Sequence, residues 1–415
     1  MGLPAARRTV RLGSLPALAA LTSMLLAACV NDEPPPWARQ ATPSPEGTVS
    51  PLSEAELRDA TRTAARFLDA FVDGDTESFW GMLLPETRAR WAGEQALGGF
   101  LERKFGPRRL VYELGEPARL TGAGSIAVPV TIDFEDSAHR LTGPPLLLAP
   151  HEDSLAVADA GPLGPSGPII GTPSPVRAEI DAPVLIYHHF APQLPADHKQ
   201  ALDTVTIAAF ADQLSWLAQN GYTTIAVAEI FNAFYYDLPL PARPVVLVFD
   251  DGYADVYQHA FPLLRERGFG ATVAAITGAM GQPGYLTWEQ AEEMSAFGVE
   301  FVSHTASHAN LAAATRDQAR AELADSRRVL EERLRRPAQF FVYPYGEPFT
   351  SGSDEARQMV LDLLRETGYA GALLTASGPP YVSIQKADAP YQLHRIPVSG
   401  GETVERFAAS ITAPR

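Results

Sequence analysis

Two groups of residues in the second half of the chain combine side chains that can bind a metal ion. Asp250 and Asp251 directly follow an apolar run, and His304 and His308 stand four residues apart just after another apolar run. Adjacent carboxylates repel each other unless a cation or a separate role distinguishes them. One carboxylate and two imidazoles with open coordination positions form the ligand set of a catalytic rather than a structural metal. The pattern predicts a metal-dependent reaction centre.

Each group also has a simpler interpretation. The Asp-Asp-Gly sequence at 250–252 is typical of a turn, and a chance four-residue spacing such as that of His304 and His308 is common among nine histidines. Because both groups follow apolar runs within one stretch of chain, we favour a shared metal site over two coincidences.

Apolar runs that alternate with helical segments supply the elements that would position these side chains. The runs cover residues 184–187, 245–249, 271–275, 299–302, 340–343 and 371–374. Such alternation predicts a mainly parallel sheet or barrel wrapped by helices. Functional side chains in these folds collect at the carboxyl ends of the strands, which is where both groups stand.

Three motifs in this part of the chain resemble those of the polysaccharide deacetylase (NodB-homology) family of carbohydrate esterases. They read VFDDG at 248–252, HTASH at 304–308 and FVYPYG at 341–346, and the resemblance covers roughly residues 180–410. It implies an α/β fold of the distorted (β/α) barrel type and a divalent metal ion, most often zinc. It also implies that the protein removes N-acetyl groups from an amino-sugar polysaccharide.

The same resemblance implies a role for each motif residue. Asp251, His304 and His308 would bind the metal, Asp250 would be the general base, and the backbone N–H of Tyr345 would hold the oxyanion. These roles agree with the chemistry, since a bound cation acidifies water and polarises a carbonyl group, while a carboxylate free of the metal can accept a proton.

The first residues of the domain resemble those of one subgroup of this family. PVLIYHH at 183–189 is similar to the subgroup that acts on poly-N-acetylglucosamine in biofilm matrices, where the early histidine is the general acid. We therefore assign this role to His188, with His394 as the second choice, and place His189 among the substrate contacts. The alternative is that His188 and His189 only satisfy backbone groups at a strand end.

One departure from the family pattern concerns the general base. Val342 stands where many members have an arginine that orients the catalytic aspartate. Arg395 follows a short apolar strand late in the domain, where closure of a barrel would bring it towards the first strands. We expect its guanidinium to pair with Asp250 in place of the absent residue, although a surface position for Arg395 is equally compatible with the sequence.

The first residues of the chain resemble a bacterial lipoprotein signal. Arg7, Arg8 and Arg11 precede a mostly apolar stretch that ends Leu-Ala-Ala-Cys at Cys29. We expect a lipoprotein signal peptide at 1–29, lipidation of the Cys29 thiol, and a protein held at the bacterial cell membrane outside the cytoplasm. An uncleaved anchor with a buried cysteine is the alternative.

Composition shifts divide the rest of the chain. We expect a flexible stalk at 30–52, a small α+β (cystatin-like or cone-shaped) domain at 53–158, a Pro/Gly linker at 159–179 and the deacetylase domain at 180–415. The small domain carries no recognisable catalytic group. Its role is open.

The overall composition excludes several classes of protein. Among 415 residues, 33 Lys and Arg stand against 49 Asp and Glu, a net charge of −16, which disfavours binding to a nucleic-acid backbone. A single cysteine excludes internal disulfides and cysteine-rich metal sites. Two alternatives to N-deacetylation stay open: an O-acetyl esterase acting on a polysaccharide, and a catalytically silent carbohydrate-binding surface lipoprotein.

Overall fold

The computed structural model describes residues 51–89, 91, 93–105, 110–119, 125–134, 140–142, 146–152, 154–170, 173–375 and 381–412. Cys29, the expected signal sequence and most of the expected stalk lie outside these residues, so what we expect of them stays a prediction. None of the helices in the described ranges combines the length and apolar character needed to cross a bilayer.

Four helices begin the small domain. They are α1 (Glu54–Val72), α2 (Thr76–Gly81), α3 (Pro85–Arg88) and α4 (Glu94–Phe105). Ser53 and Glu56 form a reciprocal cap at the start of α1, since the Ser53 hydroxyl accepts from the Glu56 N–H and the Glu56 carboxylate accepts from the Ser53 N–H.

Two antiparallel sheets complete the small domain. The strands are β1 (Leu110–Leu114), β2 (Ala118–Arg119), β3 (Ile126–Val128), β4 (Val130–Phe134), β5 (Arg140–Thr142), β6 (Leu146–His151) and β7 (Ser154–Asp159). They pair in the orders β1-β4-β5 and β2-β3-β6-β7. The apolar run 126–130 forms parts of two strands in different sheets, because Pro129 lacks an N–H for a ladder and separates β3 from β4.

Strands and helices then alternate. The strands are β8 (Glu179–Asp181), β9 (Val184–Tyr187), β10 (His189–Ala191), β11 (Thr204–Thr206), β12 (Thr223–Thr224), β13 (Pro244–Phe249), β14 (Thr272–Ala275), β15 (Glu300–Ser303), β16 (Phe340–Val342), β17 (Gly371–Leu373), β18 (Ile384–Lys386) and β19 (Ile396–Pro397). The helices are α5 (His198–Leu202), α6 (Ile207–Gln219), α7 (Val227–Tyr236), α8 (Phe261–Arg267), α9 (Trp288–Phe297), α10 (Arg316–Leu334), α11 (Asp354–Glu366) and α12 (Val404–Thr412).

The main sheet is parallel and nearly closed on itself. Its strands follow the order β17-β16-β15-β14-β13-β9-β19, with β12 beside β13. At the open edge, Leu393 bridges Leu373 of β17 while β19, three residues later, pairs with β9. The segment 393–397 therefore joins both edges, and this architecture confirms the predicted distorted (β/α) barrel.

Alternate residues of the barrel strands pack into separate cores inside and outside the barrel. Val246, Val248, Val302 and Val342 are fully buried in the lumen, in one cluster with residues of α7. The residues between them along the strands, such as Leu247, face outwards and pack against α6, α8, α9 and α12. Because strand side chains alternate between faces, Val342 points into the lumen rather than towards the helices.

The expected Pro/Gly linker packs against the end of the barrel opposite the carboxyl ends of its strands. The Ile169 N–H donates to the Gln339 side chain (2.7 Å), and the Asn232 amide donates to the Gly167 carbonyl (2.7 Å). At the same end, the Arg103 Nε of α4 donates to the Tyr236 carbonyl of α7 (2.8 Å). The sequence motifs lie at the opposite end of the barrel, where the strands finish.

Candidate metal and catalytic site

Strand register brings the two sequence motifs to the same end of the barrel. Asp250 and Asp251 follow β13, and His304 follows β15, with β14 lying between these strands. The Asp250 N–H donates to the Tyr187 carbonyl (2.9 Å) and the His304 N–H donates to the Ala275 carbonyl (3.0 Å), so both extend the parallel ladder by one residue. Both motifs therefore begin where their strands end, at the carboxyl end of the barrel.

Asp251, His304 and His308 form a compact group of three potential metal ligands. Oδ1 of Asp251 lies 3.4 Å from Nε2 of His304 and 3.3 Å from Nε2 of His308, and one ligand atom from each residue lies within 4.8 Å of the others. Oδ1 of Asp251 is buried and has no hydrogen-bond partner among the residues that the structure describes. A buried carboxylate oxygen facing two imidazole nitrogens fits a divalent cation placed between them.

The backbone orients the first imidazole. Nδ1 of His304 lies 2.8 Å from the Val342 carbonyl, which can only accept a hydrogen bond, so Nδ1 carries the proton and the Nε2 lone pair faces Asp251. Burial by itself raises the pKa of Asp251, but His304 and His308 outweigh it and hold that pKa well below the ordinary value. Burial lowers the pKa of His304, and the neighbouring carboxylates raise it by more.

The site is built on backbone conformations that L-residues rarely adopt. Asp251 (φ 71°), Thr305 (φ 66°), His308 (φ 61°) and Tyr345 (φ 58°) all lie in the left-handed region. Such conformations cost about 1–3 kcal/mol each and persist where surrounding contacts determine them. Four of them around one cluster mark this end of the barrel as a functional site.

Asp250 lies beside the three ligands but has other partners. Nη1 of Arg395 contacts both carboxylate oxygens, at 2.7 Å to Oδ1 and 3.0 Å to Oδ2, and the side chains of Asp250 and Arg395 are both buried. One guanidinium nitrogen spans the carboxylate here, because Nε is engaged by the Leu374 carbonyl at 2.6 Å. The expected contact between the Arg395 guanidinium and Asp250 is therefore present, and it is made through a single nitrogen.

The two candidate general acids occupy different environments. Nε2 of His188 lies 3.9 Å from Oδ2 of Asp250, and its side chain is 36% exposed. His394 is exposed on the neighbouring strand segment, where its backbone exchanges hydrogen bonds with the Gln385 side chain. The ring is partly shielded from water, and this partial burial, with a smaller contribution from Lys386, lowers the pKa of His394. The geometry favours His188 for a proton transfer near Asp250.

His189 is buried next to the site rather than facing open space. Its Nδ1 lies 2.8 Å from Oδ2 of Asp255, and its ring stacks on Tyr253 with centroids 3.8 Å apart. This burial does not favour the substrate contact expected for His189. Sequence reasoning did not find Asp255, since nothing in the spacing links a residue after β13 to a histidine of β10.

Tyr345 stands at the rim of the site. It belongs to a short 3-10 turn after β16, the residue is 55% exposed, and its ring centroid lies 4.5 Å from that of His308. The oxyanion role of its N–H stays a prediction. Gly346 tolerates no side chain here, because a Cβ would lie 2.6 Å from the Thr350 hydroxyl at a φ of 71°.

Comparison with known proteins gives consistent matches over the barrel. A family model described as polysaccharide deacetylase matches residues 237–371. The putative polysaccharide deacetylase YxkH of Bacillus subtilis (strain 168) is 30% identical over 231 residues, which cover 55% of this chain and 75% of that protein. The poly-beta-1,6-N-acetyl-D-glucosamine N-deacetylase of Escherichia coli (strain K12) is 27% identical over 218 residues, and this chain spans about a third (32%) of its length.

Solved structures also resemble this chain. The Streptococcus pyogenes deacetylase PplD in complex with acetate has a TM-score of 0.49 and 26% identity, over 57% of this chain and 99% of that one. BC0361, a polysaccharide deacetylase from Bacillus cereus, has a TM-score of 0.48 and 23% identity, over 70% of this chain and 78% of that one.

Proposed function

Since this chain belongs to the polysaccharide deacetylase family, we propose that it is a metal-dependent enzyme that removes N-acetyl groups from an extracellular or cell-wall amino-sugar polysaccharide. The observation that carries the proposal is the group of Asp251, His304 and His308 beside a separate carboxylate, Asp250. A ligand cluster adjoining an independent proton acceptor can support hydrolysis, whereas a carbohydrate-binding module has no chemical need for it.

The donor set favours zinc. Two imidazoles and one carboxylate with open positions suit a catalytic zinc ion, and the orphaned Oδ1 of Asp251 gives that ion a buried anionic ligand. When bound, such an ion supplies polarisation of the acetyl carbonyl and a lowered pKa for a nearby water molecule. The proposal that zinc is the resident ion rests on the chemistry of this donor set.

The chain's own residues account for the proton transfers. Asp250 accepts a proton from water as the water oxygen attacks the acetyl carbon, and Arg395 holds the carboxylate in place. The backbone N–H of Tyr345 donates to the carbonyl oxygen as it gains charge. His188 then gives a proton to the leaving nitrogen as the C–N bond breaks, which yields acetate and a free amine.

Two observations support a poly-N-acetylglucosamine-like substrate. The Escherichia coli relative is named for poly-beta-1,6-N-acetyl-D-glucosamine, and the opening motif with His188 is similar to that of the same subgroup. Access to such a polymer requires a location outside the cytoplasm. We propose that lipid on Cys29 holds the enzyme there, which fatty-acid labelling of the cells tests: wild type takes up label and Cys29→Ser does not. Equal labelling of both proteins rejects the anchor.

Metal content and acetate release together test the proposed function. Purified wild type should contain about one zinc per chain and release acetate from poly-β-1,6-N-acetylglucosamine faster than from O-acetylated xylan. His304→Ala should lose both the zinc and the activity, whereas His198→Ala, at an exposed position on α5, should retain them. Faster release from xylan would identify an O-acetyl esterase, and polymer binding without acetate release would identify a silent binding protein.

A further inference from the structure

A helix outside the motifs holds the loop between the two histidine ligands. Oε2 of Glu322, on α10, accepts from the N–H groups of Ala306 and Ser307, both at 2.9 Å. Oε1 of the same carboxylate accepts from the Ser307 hydroxyl at 2.7 Å. One side chain therefore accepts three hydrogen bonds from the residues between His304 and His308.

The opposite side of this loop is held by backbone. The Gly278 N–H donates to the Ala306 carbonyl at 2.8 Å, and a Cβ on Gly278 would lie only 2.6 Å from that oxygen. Within the loop, the Thr305 hydroxyl accepts from the Ala309 N–H at 3.1 Å. The peptide at Ala306 is thus fixed from both sides, by Gly278 and by Glu322.

The loop needs such support because its backbone is strained. Thr305 and His308 adopt φ values of 66° and 61°, and left-handed conformations of non-glycine residues persist only where neighbouring contacts determine them. His304 continues β15 and is aimed by the Val342 carbonyl, so its position does not need the loop. The direction of His308 depends on the loop.

We propose that Glu322 is a positioning residue that sets the direction of His308 and thereby the affinity of the site for its metal. This inference rests on the proposed metal-dependent function and adds to it a residue that does not touch the ion. Ionised acceptors make stronger hydrogen bonds than neutral ones, so the carboxylate suits two backbone N–H groups and a hydroxyl better than an amide would. Loss of such supporting contacts typically weakens metal binding 10–100-fold.

Glu322 is placed to act on the loop rather than to maintain its own helix. Helix α10 begins with a reciprocal cap between Thr315 and Gln318, and its buried face contains Leu323, Ser326 and Leu330. These features stay when the Glu322 side chain is changed. We therefore expect α10 to form normally in Glu322 variants.

The test measures zinc affinity by competition with a chromophoric chelator and the visible spectrum of the Co²⁺-loaded protein. Glu322→Ala should bind zinc 10–100-fold more weakly than wild type, with an altered Co²⁺ spectrum, because His308 no longer keeps one direction. The zinc affinity of Glu322→Gln should lie between that of wild type and that of Glu322→Ala. Glu332→Ala is the matched control, since Glu332 lies on the same helix with its side chain 62% exposed and pairs only with Arg328 among the described ion pairs.

Each outcome decides the proposal. Zinc affinity within threefold of wild type and an unchanged Co²⁺ spectrum in Glu322→Ala would overturn it while leaving the proposed function intact. Equal losses in Glu322→Ala and Glu332→Ala would also overturn it, because any acidic residue of α10 would then serve. A wild type that binds no zinc overturns both proposals. If Glu322→Ala does not fold, the same two measurements are made on Glu322→Gln and Ser307→Ala. Both variants should bind zinc more weakly than wild type and have an altered Co²⁺ spectrum, and wild-type values in both would overturn the proposal.

Discussion

Nη1 of Arg395 contacts both carboxylate oxygens of Asp250 although 145 residues separate them in the sequence. The contact follows from barrel closure, because residues 393–397 bridge β17 at one end of the strand order, pair with β9 near the other, and carry Arg395 to the end of β13. Val342, at the position where the family resemblance implies an arginine, fills the lumen with a valyl side chain. A guanidinium thus reaches the proposed general base from a different strand.

Replacing Arg395 with alanine should slow turnover and move the acidic limb of the pH–rate profile to higher pH. A buried carboxylate without a neighbouring cation ionises less readily, so less of the base is active near neutrality. Removing one member of a buried ion pair also destabilises a protein by about 3–5 kcal/mol. Steady-state rates from pH 5 to 9, zinc content and urea unfolding measure these effects.

Arg395→Lys is the matched variant because it keeps the charge without the planar guanidinium. We expect Arg395→Lys to have part of the wild-type turnover and an acidic limb of the pH–rate profile close to its wild-type position. If Arg395→Ala retained near-normal turnover and an unchanged acidic limb, Arg395 would be structural and Asp250 would need no cation.

The adjacent aspartates should respond differently to the same change. Asp250→Asn should keep zinc and lose turnover by about 10²–10⁴-fold, the usual contribution of a general base. Asp251→Asn should lose zinc, because the buried Oδ1 that faces both imidazoles would no longer be anionic. Zinc content and single-turnover acetate release distinguish the two roles. Zinc lost from Asp250→Asn and kept by Asp251→Asn would reverse them.

The loss of activity on removing the general acid should depend on how readily the leaving group departs without a proton. His188→Ala should strongly reduce release of acetate from N-acetylated polymer, since an amine must leave with a proton. It should affect p-nitrophenyl acetate much less, because p-nitrophenolate leaves without one. His394→Ala serves as the comparison, with both substrates near wild-type rates expected. The opposite pattern in the two variants would transfer the general-acid role to His394.

Glu300 should make the barrel less stable as pH rises towards neutrality. Burial raises the pKa of Glu300 from 4.5 to about 7, and hydrogen bonds from Thr272, Val227 and Ala228 oppose only part of that effect. Between these values the folded protein retains a proton that the unfolded chain releases, so stability is present below pH 4.5 and is lost as pH rises through 7.

Urea unfolding at pH 5 and pH 8 measures this effect. Wild type should lose more of its free energy of unfolding over this interval than Glu300→Gln, which has no proton to release. The difference between the two proteins isolates Glu300 from the histidines that titrate in the same range. Parallel pH dependences would show that Glu300 ionises normally.

Local patterns in the sequence were sufficient for the barrel strands and for the metal motif. The apolar run 184–187 forms β9 with the same bounds, and the other predicted runs form barrel strands with ends displaced by one residue. Continuous apolar runs mark strands buried on both faces, and parallel strands bring their carboxyl ends together. The meeting of Asp251 with His304 and His308 follows from those two facts.

Other features depend on contacts that no local pattern encodes. Pro129, which has no N–H for a ladder, divides the apolar run 126–130 between two sheets, and the partner strands of the two parts lie elsewhere in the chain. Glu322 looks like an ordinary polar residue of an amphipathic helix, and its role depends on the packing of α10 against β15 and the loop that follows it.

The sequence by itself determined the fold class, the barrel strands and the side chains that can bind a metal ion, because periodicity and short motifs act over a few residues. The tertiary structure decided which side chains support them: Arg395 beside Asp250, Asp255 beside His189, and Glu322 beneath the histidine loop. These partners are 145, 66 and 15–16 residues apart, and they meet only after the sheet has closed and the helices have packed around it.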